Sequence, residues 1–234
     1  MKHTLLIKDW LSSFLSLLFP RCCVVCGRPL AKGEECICTV CNINLPRTNY
    51  HLRKDNPVER LFWGQIPLER ATSFFFYEKG SDFRLILHRL KYGGQKEIGA
   101  IMGRYMAAEL LSSNFFQGID VIIPIPLHKK KQQIRGYNQS EWIARGIAAV
   151  TGMPIDTESI LRKKNTETQT RKSVFERRDN VEGIFELQHP ETLAGKHILI
   201  VDDVLTTGST TLACASCLVN VEGIRISILT LATA

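Results

Sequence analysis

A chain of 234 residues that is 44% hydrophobic and 23% charged can hold one well-buried core with room for a small extra module, and it is too evenly mixed for a disordered or fibrous protein. Its formal net charge of +7 favours anionic partners, whether phosphorylated ligands, nucleic acid or an anionic membrane surface. Six of the eight cysteines fall within the first 41 residues; without a convincing export signal this argues against a disulfide framework and for a cytoplasmic protein.

Residues 1–19 are the first segment of the chain. Leu5, Leu6, Trp10, Phe14, Leu17 and Leu18 recur at near-helical spacing and predict an amphipathic helix, packed on the rest of the protein or turned to a membrane or partner. The apolar part is too short to span a bilayer, which takes about 20 apolar residues, so no transmembrane segment is expected.

Residues 20–47 hold the cysteines. Cys23/Cys26 and Cys38/Cys41 form two Cys-x-x-Cys knuckles, enough to give four thiolates to one tetrahedral zinc and close a module too small to own a hydrophobic core. Such a site has no open position and is structural; an iron–sulfur cluster is the lesser alternative. Cys22 and Cys36 are surplus, and either is a candidate to replace a neighbour.

Residues 48–68, with Pro57, Pro67 and scattered charges, read as a linker to a larger domain over 69–234. There the aromatic run Arg70 to Tyr77 predicts a strand. Helices are predicted from Asp82 to Leu90 and from Ile98 to Leu111. Between them Lys91-Tyr92-Gly93-Gly94 is either a turn that lets backbone approach a ligand or a plain helix C-cap. Ile119 to Pro126 is a short apolar strand stopped by prolines. The polar, basic stretch Leu127 to Gln139, with Lys129-Lys130-Lys131 and Arg135, is a loop that either folds over an anion or stays solvated. A helix follows from Ser140 to Val150, capped by Asn138 or Ser140. Leu161 to Phe185, charged and polar, reads as an exposed connection, and Ile224 to Leu231 is the last strand.

The most informative stretch is Ile198-Leu199-Ile200-Val201-Asp202-Asp203-Val204-Leu205-Thr206-Thr207-Gly208-Ser209-Thr210. An apolar strand ends in two carboxylates, and a Thr/Gly/Ser turn then opens a helix from Thr211 to Leu218. Ligands of α/β proteins bind at the carboxyl ends of parallel strands. Helix-start N–H groups with the hydroxyls of Thr206, Thr207, Ser209 and Thr210 suit one phosphate, and Gly208 permits close approach. Two carboxylates cannot serve that phosphate, so they face sugar hydroxyls or a metal ion carried by the ligand.

These thirteen residues resemble the phosphoribosyl-pyrophosphate signature of type I phosphoribosyltransferases. Together with both Cys-x-x-Cys knuckles, Leu90-Lys91-Tyr92, Pro124-Ile125-Pro126-Leu127, Arg135-Gly136-Tyr137-Asn138-Gln139, Gln169, Arg178, Asn180 and Phe185, in this order, they make the chain similar to the ComF family. Departures are Val221-Glu222-Gly223, where the family commonly has alanine-glycine-alanine, and the terminal Ala232-Thr233-Ala234, where it usually ends in arginine. The resemblance implies an α/β, type I phosphoribosyltransferase fold, a central parallel sheet flanked by helices, with a small N-terminal zinc ribbon. It also implies that Thr206 to Thr210 hold the 5-phosphate of phosphoribosyl pyrophosphate, Asp202 and Asp203 its ribose hydroxyls, and Lys91, Tyr92 and Gly93 its pyrophosphate, with magnesium on the ligand's oxygens. Arg135 and the Lys129 to Lys131 tract are the expected cation clamps for the departing pyrophosphate. The expected function is magnesium-dependent phosphoribosyl transfer to an acceptor the sequence leaves open. The alternative is a DNA-uptake accessory of natural competence that binds single-stranded DNA or a partner helicase ATPase, with the phosphate site a non-catalytic sensor.

Overall fold

The computed structural model describes residues 20–163 and 183–234. The amphipathic helix expected over residues 4–19 and most of the charged stretch, including Gln169, Arg178 and Asn180, lie outside the described residues.

Six strands are present among the described residues: β1 (Leu68–Phe76), β2 (Val121–Pro124), β3 (Ile160–Arg162), β4 (Phe185–Leu187), β5 (His197–Leu205) and β6 (Arg225–Thr233). Four of them form one sheet in the order β1-β6-β5-β2, every pair parallel. β3 and β4 pair antiparallel as a separate hairpin, so the charged stretch leaves and returns side by side. The helices are α1 (Thr39–Ile43), α2 (Pro57–Arg60), α3 (Arg84–Tyr92), α4 (Glu97–Leu110), α5 (Lys129–Arg135), α6 (Gln139–Thr151) and α7 (Ser209–Ser216).

The run Ile198 to Val201 is continuous in apolar residues because both faces of its strand are covered. Leu199 and Val201 join a core with α3, α4 and α6, while Ile198 and Ile200 join a second core with α7 and the β3–β4 hairpin. All four are 0% exposed, and burying each such side chain contributes about 1.5–3 kcal/mol. On the first face α4 and α6 pack backbone to backbone: a Cβ at Gly103 would run into the Ile143 carbonyl, and one at Gly146 into that of Ala100.

The cysteine module is part of the first core rather than an appendage. Cys23, Val24, Cys36 and Ile37 pack in one cluster with Leu87, Met102 and Met106. Arg47 ties the two together: its Nε donates to Glu109 of α4 at 2.5 Å, its Nη2 to Asn42 at 2.9 Å, and its guanidinium lies 5.4 Å from the Phe74 ring centroid.

Residues 48–68 connect module and domain as packed chain. β1 is an edge strand, and the preceding segment covers it: Thr48 N donates to Phe74 O at 3.1 Å and Phe76 N to Pro46 O at 2.8 Å. Asn56 caps α2 through Val58 N at 3.0 Å, Glu59 answers from N3 in a capping box, and Asn56 Nδ2 reaches Ala71 O at 2.9 Å. The stretch reads as linker because its apolar residues lack period; Val58 and Phe62 are nevertheless fully buried.

Two further elements differ from expectation. The basic stretch after β2 contains α5, whose Lys, Gln and Arg are good helix formers without an apolar stripe to announce them. β5 also runs past Val201 through both aspartates to Leu205, with Asp202 opposite Thr230 and Leu205 opposite Thr233 of β6. The acidic pair therefore stands inside the last part of the strand.

Candidate functional site

The carboxyl ends of β2 and β5, the C-terminus of α3, the α5–α6 junction and the start of α7 meet around Asp202 and Asp203. Successive strand residues face opposite sides, and the two acids have different partners. Asp203, 8% exposed, takes an ion pair from Lys91 Nζ at 3.1 Å. Asp202 Oδ1 accepts from Ser140 Oγ at 2.9 Å and from the Asp203 N–H at 2.8 Å. Burial, then the neighbouring Asp203 charge, raises the Asp202 carboxyl to about 7.

Beyond β5 the phosphate-loop candidates Thr206, Thr207, Gly208, Ser209 and Thr210 lead into α7. Gly208 has φ 75°, the left-handed conformation that opens the helix, and no side chain caps α7. Ser209 N reaches Thr207 Oγ1 only at a long 3.5 Å, so the first N–H groups are available to an anion. Thr207 and Ser209 hydroxyls lie 2.9 Å apart at the same rim. The loop rests on Phe62: a Cβ at position 208 would sit 3.4 Å from the ring atoms Cε1 and Cζ.

On the other side, Gly93 is the C-cap of α3, its N–H donating to Arg89 O at 2.9 Å. Of the Lys91, Tyr92 and Gly93 turn, Lys91 points at the acidic pair, whereas Tyr92 is 69% exposed and stacks outward under Arg135, 5.6 Å from its guanidinium. Arg135 also donates to Gln139 Oε1 at 2.9 Å. Within the basic tract Lys129 and Lys130 are exposed, while Lys131 is drawn inward. Burial, then Arg162, Arg135 and Lys91, depresses the Lys131 ammonium. Lys131 is thus within electrostatic reach of Lys91, Arg135 and Arg162, and of these cations Lys91 pairs with Asp203 while Arg162 stands near Asp202.

Ser140, Arg162 and Phe62 are absent from the site residues that the sequence suggests. Ser140 is a candidate helix cap by sequence; Asn138 caps α6 instead, accepting from Ser140 N at 3.2 Å, which frees the Ser140 hydroxyl for Asp202. Arg162 lies on β3, its guanidinium 5.2 Å from the Phe185 centroid and close enough to Asp202 for that charge to offset part of its desolvation. Only the long-range packing of the hairpin on β5 brings it there; no local spacing announces it.

At the cysteine module, the Sγ atoms of Cys23, Cys26, Cys38 and Cys41 lie within 4.8 Å of one another, and Cys26 and Cys38 are 3.7 Å apart. Cys22 and Cys36 are outside that group. Cys22 is exposed at the bridge to Pro29, and burial pushes the Cys36 thiol up to about 12, as for an inert core residue. A tetrahedral ion with about 2.3 Å bonds to sulfur requires sulfurs about 3.8 Å apart. The four-thiol group fits it.

No helix among the described residues is long and apolar enough to cross a membrane. A family model described as the phosphoribosyl transferase domain matches residues 136–234, which include Ser140, Arg162, the acidic pair and the phosphate loop. The chain is 32% identical over 209 residues to the DNA utilization protein YhgH of Escherichia coli O157:H7, spanning 83% of this chain and 88% of that one. It is 26% identical over 214 residues to the competence protein ComFC of Bacillus subtilis (strain 168), spanning 89% and 82%. To the competence protein F of Haemophilus influenzae it is 30% identical over 130 residues, 54% of this chain and 57% of that one. With this likeness along most of its length, a phosphoribosyl transferase domain and a four-cysteine module ahead of it, the chain belongs to the ComF family.

Proposed function

We propose that the chain binds phosphoribosyl pyrophosphate with magnesium and transfers its phosphoribosyl group to an acceptor, with zinc in the four-cysteine module. The observation that carries this reading is the continuity of three subsites. An uncapped helix start with hydroxyls suits a phosphate, the adjacent acids suit ribose hydroxyls, and Lys91 joins the acids to the cationic side.

Asp202 and Asp203 accept hydrogen bonds from the ribose and hold it over the end of the sheet. Displacement at the anomeric carbon through an oxocarbenium-like state needs no protein nucleophile; Lys91, Lys131, Arg135 and Arg162 offset the charge of the departing pyrophosphate. Magnesium fits as an ion carried on the ligand: the acids that stand beside the ribose position are hard oxygen donors, one of them short of compensating charge. When bound, it would neutralise pyrophosphate oxygens. The test is pyrophosphate release from phosphoribosyl pyrophosphate and magnesium in the presence of a nucleobase mixture. The Asp202→Asn, Asp203→Asn double variant should lose release while remaining folded; release at the wild-type rate overturns the assignment.

A second reading is supported by the relatives named for DNA utilization and competence and by the exposed Lys129 and Lys130 on α5, next to Lys131. Here the chain contacts single-stranded DNA or a partner ATPase, and the ligand site acts as a sensor. Neutralising Lys129 to Lys131 should then weaken single-strand binding and lower its salt slope by about 0.7 for each DNA phosphate that is no longer neutralised; unchanged affinity and slope count against this surface.

A further inference from the structure

Three residues of the short segment Arg135 to Ser140, namely Tyr137, Asn138 and Ser140, bind to three different walls of the site. Tyr137, 8% exposed, donates its hydroxyl to Leu90 O at 2.6 Å. That carbonyl belongs to the last turn of α3, where helix carbonyls lack partners within the helix, and it immediately precedes Lys91. Asn138 Nδ2 donates to Ile125 O at 3.0 Å, just past the end of β2, while its Oδ1 caps α6. Ser140, 4% exposed, donates to Asp202 on β5. The spacing between the Lys91 turn and the acidic pair is therefore fixed through this one segment as well as through the Lys91–Asp203 ion pair.

We propose that Tyr137 and Ser140 are positioning residues: Tyr137 sets the Lys91–Gly93 turn for the pyrophosphate, and Ser140 sets Asp202 for the ribose, each from the same short junction. The proposal rests on the phosphoribosyl pyrophosphate reading. Neither side chain is required to touch the ligand. Tyr137 acts on Lys91 through the carbonyl before it. Ser140 occupies one Asp202 oxygen so that the carboxylate has one orientation, leaving the second oxygen to a ribose hydroxyl.

Three probes of increasing length separate these roles. Inorganic phosphate reads only the Thr206 to Thr210 loop, ribose 5-phosphate adds the acidic pair, and phosphoribosyl pyrophosphate with magnesium adds the turn. Tyr137→Phe keeps the buried ring and removes one hydroxyl; it should weaken phosphoribosyl pyrophosphate about five- to tenfold, the weight of one hydrogen bond, and leave the other two probes unchanged. Ser140→Ala should weaken both ribose-containing probes by about the same factor and leave phosphate alone, and Ser140→Thr, which keeps a hydroxyl, should restore most of the loss. A merely structural role lowers all three affinities together or none, and either pattern overturns the proposal. Wild-type protein that takes ribose 5-phosphate but not phosphoribosyl pyrophosphate overturns the functional reading itself. Binding of all three with unchanged ratios in the variants overturns only the positioning roles.

Discussion

The cysteine module and the carboxyl end of β5 hold ionisable groups at similarly close quarters and treat them in opposite ways. In the module the backbone of Arg28 pulls Cys26 down to about 6, while burial, then neighbouring thiols, pushes Cys41 up. Four thiolates become compatible there only with a cation among them, held by three buried cysteines and the exposed Cys26. At the strand end Lys91 pairs with Asp203 and Arg162 stands near Asp202, yet burial and the Asp203 charge hold Asp202 up near 7. The Asp202 charge is thus under-compensated in the unliganded chain. The first arrangement suits a structural ion, and the second suits an incoming ligand.

The sharpest test of this contrast is metal removal. Because Cys23, Cys36 and Ile37 share a core with Leu87, Met102 and Met106, stripping zinc with a strong chelator should lower the midpoint of the whole chain's thermal transition, with one transition and not two. Zinc contributes about 10–16 kcal/mol in isolated zinc-finger peptides, so the effect should exceed that of any single substitution. Calorimetry giving an unchanged main transition after metal loss would separate the module energetically from the domain.

Next in size is Phe62→Ala. Removing a fully buried ring costs about 3–5 kcal/mol, and this ring is also the floor of the Gly208 turn. Denaturant titration should give a loss in that range, and phosphate affinity should fall with it. A loss of stability with phosphate binding intact would show that the loop keeps its shape without the floor.

The smallest expected effect has the opposite sign. Unfolded, Asp202 loses its proton near its ordinary value of 3.8, whereas folded it keeps the proton to about 7. Between these values the folded chain holds the extra proton, so the Asp202 contribution to stability falls as pH rises through that window and stays low above it. Asp202→Asn removes the penalty and should stabilise the unliganded protein at pH 8 by at most about 4 kcal/mol, the full weight of that shift, with little gain near pH 4. A less stable variant at pH 8 would mean that Ser140 and Arg162 already compensate the charge.

Legibility in the sequence follows the range of the interactions. The parallel sheet could be read because Ile198 to Val201 and Ile119 to Ile125 are apolar runs bounded by breakers. The four-thiol group could be read because two-residue spacing on each knuckle is a local constraint. Thr206 to Thr210 with Asp202 and Asp203 could be located since they are contiguous. The partners of the acids were not legible in the same way. Ser140 reaches Asp202 across 62 residues, and Arg162 arrives only through a hairpin whose strands are three residues each. The seven residues of α5 carry no apolar period, and Phe62 lies in a stretch whose composition suggested only a connection. Position along the chain could mark Arg135-Gly136-Tyr137-Asn138-Gln139, but it could not say that its side chains hold different walls.

The most direct measurement for the central claim is a calorimetric titration of the full chain with phosphoribosyl pyrophosphate and magnesium at pH 8, repeated with the Asp202→Asn, Asp203→Asn variant. The wild type should bind saturably at one ligand per chain, and the variant should lose that binding while remaining folded. A wild type that gives no binding heat, or a variant that binds as tightly, would contradict that claim.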